Sequence, residues 1–325
     1  MKHFLIIQTA FLGDVILCTP VVSELKRIYP DATIDIVVRK GNESLLQNNP
    51  KLNKVFVWNK SEGKYKSLFS IIKQLREKQY DEVINLQRFT SAGLMCLRTK
   101  AKSKIGFNKN AFSFIYNRKL PHEIGDGRHE VERNLSLISH HGANKLIRPE
   151  LFPSEEDFSF VNQWKETNYF CLAPASVWET KKLPFKKWIE LIDLLKEKGS
   201  VYLLGGPNDL ELCEKISKRL NGSVTILAGK LSLLQSAALM KDADMNFVND
   251  SGPLHLASAM NAPTRAFFCS TIKEFGFGPL AENSKVVEIN YDLYCRPCGL
   301  HGYHSCPKGH FKCGNEIDIK ASIIT

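Results

Sequence analysis

Short apolar runs alternate with amphipathic stretches twice over in this chain, and that alternation is the signature of parallel sheets with crossover helices. In the first half the pattern predicts strands over residues 4–7, 33–38 and 82–86, with helices over 15–28, 65–78 and about 131–139. The second half restarts with strands over 169–172, 200–204, 245–248 and 265–268. Its helices are expected over 185–198, 208–220, 232–241 and 251–260. Between the halves, Pro149, Pro153 and the acidic run Ser154-Glu155-Glu156-Asp157 predict a linker. A length of 325 residues is about twice a usual domain. The expected architecture is therefore α/β, two doubly wound Rossmann-like domains facing a central cleft, with ligands at the carboxyl ends of the strands.

Composition narrows the class further. Hydrophobic residues at 43% and charged residues at 24% exclude a disordered chain, a collagen-like repeat and a coiled coil. No run approaches the roughly 18 apolar residues of a membrane span. The opening apolar run stops at Gln8 and soon meets Gly13-Asp14, so it reads as a buried strand and not as a leader, and the cytoplasm is the expected compartment. A net charge of +10 favours anionic partners, but the basic residues are scattered and form no nucleic-acid motif. Of nine cysteines, Cys18, Cys96, Cys171, Cys213 and Cys269 stand alone in apolar or helical contexts and read as small buried hydrophobes.

Three segments carry groups suited to chemistry. Gln8-Thr9-Ala10-Phe11-Leu12-Gly13-Asp14 runs from the first strand into a helix and sets Asp14 in the first helical turn. A carboxylate there can cap the helix, or it can act from the carboxyl edge of the sheet, where such folds place chemistry. The segment lacks G-x-G-x-x-G, so no dinucleotide fingerprint is supported. Asn249-Asp250-Ser251-Gly252-Pro253-Leu254-His255 runs from strand to helix, with Pro253 suited to the first helical position. Free N–H groups at such a start make an anion site, and Gly252 allows close approach. Asp250 is expected to cap the helix or accept from a hydroxyl or amine, and His255 to donate to a phosphate oxygen. A capped core helix with a satisfied histidine explains the same residues. Ala175-Ser176-Val177-Trp178-Glu179-Thr180-Lys181-Lys182-Leu183-Pro184 offers donors from Ser176, Thr180 and Lys181, the last as a point charge for phosphate. Read alone, this loop is solvated surface.

Taken together, the segments resemble the heptosyltransferase family of lipopolysaccharide assembly, inverting glycosyltransferases of the GT-B fold that use ADP-heptose. Gly13-Asp14 with Thr19-Pro20 matches that family's N-terminal motif, Lys181-Lys182-Leu183-Pro184 its lysine-x-tryptophan-proline motif with Leu183 for tryptophan, and Asp250 to His255 its D-[ST]-G-x-x-H motif. Supporting matches are Tyr80-Asp81 through Leu86-Gln87, Ile105-Gly106-Phe107 and His129-Glu130-Val131-Glu132-Arg133-Asn134.

The resemblance implies residues 1–153 as an acceptor-binding domain and 154–325 as a nucleotide-sugar-binding domain with a cysteine-rich tail. It implies Asp14 as catalytic base and Lys181 as catalytic cation. Nucleotide-sugar contacts are expected from Ser176, Thr180, Lys181, Asp209, Leu231, Asp250, Ser251, Gly252 and His255. Gln8 stands where many members carry arginine, Leu231 where a methionine packs on adenine, and Asp209 near a ribose-binding glutamate. The implied partners are an ADP-sugar and a lipid A-linked core acceptor, at the inner face of the inner membrane and peripheral to it. No nucleic acid partner is expected, and no cofactor is required for catalysis.

The chemistry agrees. Displacing a nucleoside diphosphate from an anomeric carbon needs a cationic, amide-rich cradle for the leaving group and one carboxylate for the acceptor proton. Cys295, Cys298, Cys306 and Cys313, with His301, His304 and His310 nearby, read either as a structural zinc site or as reduced thiols ordering an acceptor-side loop. Other readings remain: the same fold on another nucleotide sugar or acceptor, a silent nucleotide-sugar binder, or a zinc-stabilised basic protein that binds nucleic acid.

Overall fold

Strands rich in Val, Ile and Leu that are buried on both faces can only pair with one another beneath helices. The chain meets that demand twice, in a computed structural model that describes residues 1–143, 145–165 and 167–323. Strands β1 (His3–Ile7), β2 (Thr33–Arg39), β3 (Lys54–Trp58), β4 (Gln79–Asn85), β5 (Lys100–Phe107) and β6 (Arg118–Leu120) form a parallel sheet ordered β3-β2-β1-β4-β5-β6. Strands β7 (Tyr169–Ala173), β8 (Ser200–Leu203), β9 (Thr225–Ile226), β10 (Met245–Asn249), β11 (Thr264–Phe267) and β12 (Ser284–Val287) form a second, ordered β12-β11-β10-β7-β8-β9. Every residue of β7 and of β10 is buried. Each fully buried Leu, Ile or Phe contributes about 1.5–3 kcal/mol, so the central strands anchor both sheets.

The flanking helices are α1 (Leu12–Ile28), α2 (Lys64–Arg76), α3 (Thr90–Arg98), α4 (Glu130–Ser136), α5 (Glu155–Val161), α6 (Phe185–Leu195), α7 (Leu210–Arg219), α8 (Leu233–Lys241) and α9 (Gly252–Ala259), followed by short α10 (Lys312–Asn315) and α11 (Ile319–Ile323). Pro20 lies inside α1 and has no N–H for the Ile16 carbonyl. The Thr19 hydroxyl donates to that carbonyl instead, at 2.8 Å, and accepts the Glu150 N–H at 3.0 Å. The Thr-Pro pair thus repairs the helix and ties the end of the first unit to it.

Two compact units result, Met1–Phe152 and Pro153–Thr325. The second expected domain ends at residue 325, two residues outside the described range. The acidic stretch expected as a linker is instead α5, a helix of the second unit lying against α8. Its start is a capping box: the Asp157 N–H donates to the Ser154 hydroxyl at 3.2 Å and the Ser154 N–H to the Asp157 carboxylate at 2.9 Å. The helix expected over 131–139 stops at Ser136, and a 3₁₀ turn follows over Ser139–His141. Among the described residues no helix is long and apolar enough to cross a membrane.

Candidate active site

Each sheet reverses its strand order once, between β1 and β4 in the first unit and between β7 and β10 in the second. Loops leaving the carboxyl ends of such neighbours diverge, and the gap between them is where open α/β sheets bind ligands. All three segments singled out in the sequence follow β1, β7 or β10.

In the first unit, Phe11 is the N-cap of α1 and half-buried Asp14 is the third helical residue, accepting the Phe11 N–H at 3.2 Å. Asp14 therefore caps by reaching back, not from the N-cap position itself. Burial, reinforced by the negative charge of Glu130, pushes its carboxyl from 3.8 up to about 6. Burial also works against ionising Glu130, but His122 and Arg133 outweigh it and hold that carboxyl below the usual range. The Arg133 Nε donates to Glu130 at 2.8 Å, and the His122 Nε2 lies 3.0 Å from it. A fixed anion thus makes Asp14 harder to ionise. Gln8 is 1% exposed and supports the loop from within, accepting from the Gln87 side chain and from the Ala10 N–H at 3.3 Å.

In the second unit, Lys181 and Asp250 form an ion pair. Asp250 does not cap α9; it accepts from Lys181 and from the Thr271 hydroxyl. The cap of α9 is Ser251, in extended conformation and with no side-chain cap bond. Pro253 has no N–H and the Leu254 N–H donates to the Ser251 carbonyl at 3.1 Å, so Ser251 and Gly252 are the amides left to meet an anion. Asn249 staples the two loops: its side chain donates to the Pro174 carbonyl at 2.9 Å and accepts the Leu183 N–H at 2.8 Å. Leu183 itself is core, 2% exposed.

The remaining candidates sit on the same edge. Ser176 follows β7, Asp209 follows β8 and Leu231 follows β9, each half-buried, while His255 is buried within α9. The Asp209 carboxylate holds its own turn, accepting the Gly206 N–H at 2.8 Å. Thr180, Lys181 and Asp250 are drawn together; Ser176, Asp209 and Leu231 share only the edge. The sequence offers Glu130 only as part of a supporting family match, with no role, and gives no sign of Ser270 or Thr271; their roles arise from long-range contacts.

The five isolated cysteines are buried, and burial pushes their thiols up, Cys96 and Cys213 to about 12. Cys295, Cys298, Cys306 and Cys313 instead line a single cavity. Glu82, His140 and His141 bring ligand atoms within 4.8 Å of one another, a group the sequence did not suggest. There the two carboxylate oxygens already accept from the imidazoles, at 3.2 Å from His140 and 3.0 Å from His141.

Comparison with known proteins follows the same lines. Residues 68–302 match the model of glycosyltransferase family 9 (heptosyltransferase). Lipopolysaccharide heptosyltransferase 3 of Escherichia coli K12 is 31% identical over 295 residues, covering 83% of each chain. A glycosyl transferase family 9 structure from Veillonella parvula superposes with TM-score 0.81 at 21% identity, covering 88% of this chain and 85% of that one. The E. coli ADP-heptose lps heptosyltransferase II gives TM-score 0.78 at 23% identity, covering 97% and 98%. Two parallel six-stranded sheets with flanking helices and the structural likenesses define a GT-B fold. The chain belongs to glycosyltransferase family 9 (heptosyltransferase). Membership decides against the zinc-stabilised nucleic-acid binder and for the enzyme.

Proposed function

We propose that this enzyme transfers heptose from ADP-heptose to an inner-core lipopolysaccharide acceptor, with inversion. The observation that carries the reading is the Lys181–Asp250 pair beside the uncapped start of α9, a cation and free amides on one sheet edge. An ammonium has three donors; Asp250 takes one and fixes the direction of the others toward a diphosphate. The names of the relatives support the substrates: one is a lipopolysaccharide heptosyltransferase, the other an ADP-heptose enzyme.

The acceptor hydroxyl attacks the anomeric carbon as the bond to the diphosphate oxygen breaks, and ADP departs with the bonding pair. Lys181 and the amides of Ser251 and Gly252 stabilise the charge growing on ADP. Asp14 takes the hydroxyl proton as general base. The displacement changes no oxidation state and calls for no redox cofactor. In this reading Met1–Phe152 receives the acceptor, while Pro153–Thr325 holds the donor through Ser176, Thr180, Asp209, Leu231 and His255 as well as Lys181. A lipid-linked acceptor places the enzyme on the inner face of the inner membrane.

The test is turnover with a panel of nucleotide sugars against lipid A-linked core acceptors. ADP-heptose should be consumed and ADP released only when acceptor is present. Turnover of a UDP- or GDP-sugar with none of ADP-heptose overturns the assignment.

A further inference from the structure

The cysteines that the displacement does not use lie directly behind the donor loop. Cys295, Cys298, Cys306 and Cys313 line a cavity of about 210 Å³ together with His310, Thr180 and Ser270. Four thiols from residues 295–313 line one cavity as a soft donor set, the ligand chemistry of tetrahedral sulfur sites; no three of their ligand atoms stand within 4.8 Å of one another, so an ion has to draw them together. The His310 Nε2 is 3.8 Å from the Cys295 sulfur, a neighbour able to orient that ligand. Phe311 adopts φ +41, a left-handed conformation that few side chains tolerate without support.

The same loop is clasped to the donor segment. The Tyr303 N–H donates to the Thr180 hydroxyl at 2.8 Å and the Thr180 N–H to the Tyr303 carbonyl at 3.1 Å. A Cβ on Gly302, whose φ is +77, would meet the Thr180 hydroxyl at 2.8 Å and the Lys181 Cγ at 3.2 Å. The Cys298 N–H donates to the Ser270 carbonyl at 2.8 Å, and Arg296 donates to the Thr271 carbonyl at 2.7 Å. Thr271 in turn holds Asp250.

We propose that Cys295, Cys298, Cys306 and Cys313 bind one thiophilic transition-metal ion of the zinc class, and that the ion fixes the loop backing Thr180 and Lys181. Each thiol releases its proton to solvent on coordination and no electrons move. Four thiolates close the coordination sphere, so the ion is structural. The effect on the donor rests on the reading of Lys181 given above; the metal site does not.

The test uses the full chain purified under reducing conditions. Elemental analysis should give about one equivalent of zinc or iron per chain, either of which supports the site. After chelation, titration with cobalt(II) should produce thiolate-to-cobalt charge transfer and tetrahedral cobalt bands, and zinc should raise the melting temperature. The Cys298→Ser/Cys313→Ser double variant should lose both responses. Removing the ion should weaken ADP binding, measured by calorimetry, about tenfold. Gly302→Ala should weaken ADP binding while keeping the cobalt spectrum. Absence of charge transfer in the reduced protein, or its survival in the double variant, overturns the site. Equal ADP affinity with and without the ion overturns the link to the donor loop. Lys181→Ala separates the two readings: a normal cobalt spectrum with unchanged ADP affinity sinks the donor reading and leaves the metal site standing.

Discussion

Lys181 Nζ lies 2.6 Å from Asp250 Oδ2, an ion pair whose side chains are only 15% and 7% exposed. The same oxygen accepts the Thr271 hydroxyl at 2.6 Å, so the carboxylate is braced from behind and the ammonium cannot wander. A charge held in place before the substrate arrives loses little freedom on binding.

Lys181→Ala removes one charge-assisted contact worth about 1.5–3 kcal/mol, so kcat/KM should fall roughly ten- to hundredfold. It also strands Asp250 as a buried unpaired charge, and the variant should melt earlier. Adding Asp250→Asn should recover melting but not turnover. Steady-state kinetics and thermal melting on the three variants check this; unchanged kinetics in the single variant would reduce the loop to surface.

Asp14→Asn keeps an oxygen for the Phe11 N–H but cannot take a proton. Turnover should drop by about 10²–10⁴ while ADP affinity barely changes, and at neutral pH the melting temperature should hold or rise because a disfavoured charge is removed. Turnover within a few-fold of the parent would leave Asp14 as a capping residue alone.

The pH dependence has a definite sign. Asp14 is pushed up to about 6, chiefly by burial and then by Glu130, and only its ionised form is a base. kcat/KM should therefore rise with pH through about 6 and level off above it. Because the folded state holds this proton more tightly than the unfolded one, the stability that protonation contributes is full below about 3.8 and lost as pH climbs through about 6. Glu130→Gln should slide the acid limb of the kinetic profile to lower pH, short of an ordinary aspartate because burial persists. A limb that stays put removes Glu130 from the tuning.

Much of this was readable from residues alone, and the failures have physical reasons. β1 and β7 announce themselves because strands covered on both faces are almost wholly apolar, while β4 and β10 keep shorter apolar stretches among their Asp, Glu and Asn residues. β5, Lys-Ala-Lys-Ser-Lys-Ile-Gly-Phe, hides because its first half is largely exposed and carries lysines. The acidic run of α5 resembles a linker by composition, yet the Ser154–Asp157 spacing is that of a helix start. Asp14 lies in the helical turn its spacing predicts, but Glu130 comes from another helix, and its family match says nothing of the effect on Asp14. Asp250 looked like a cap because capping is a local rule; its partner Lys181 lies on a different strand's loop.

Under the proposed function, with its lipid-linked acceptor, the +10 charge should give peripheral attachment to anionic lipid at about 1 kcal/mol per well-placed Lys or Arg. Binding to phosphatidylglycerol-containing vesicles in a sedimentation assay should be lost as salt rises. Retention through high salt with release only by detergent would contradict the electrostatic picture.

The division at Phe152 and Pro153 has a consequence for descent. Each half carries its own sheet and core. Under the proposed roles, drift in the loops around Gln8 and Gln87 can retarget the enzyme to a new sugar chain while the donor half is inherited unchanged. A lineage can then diversify the surface glycans it builds by remodelling one half of the gene and keeping a single activated sugar in its metabolism.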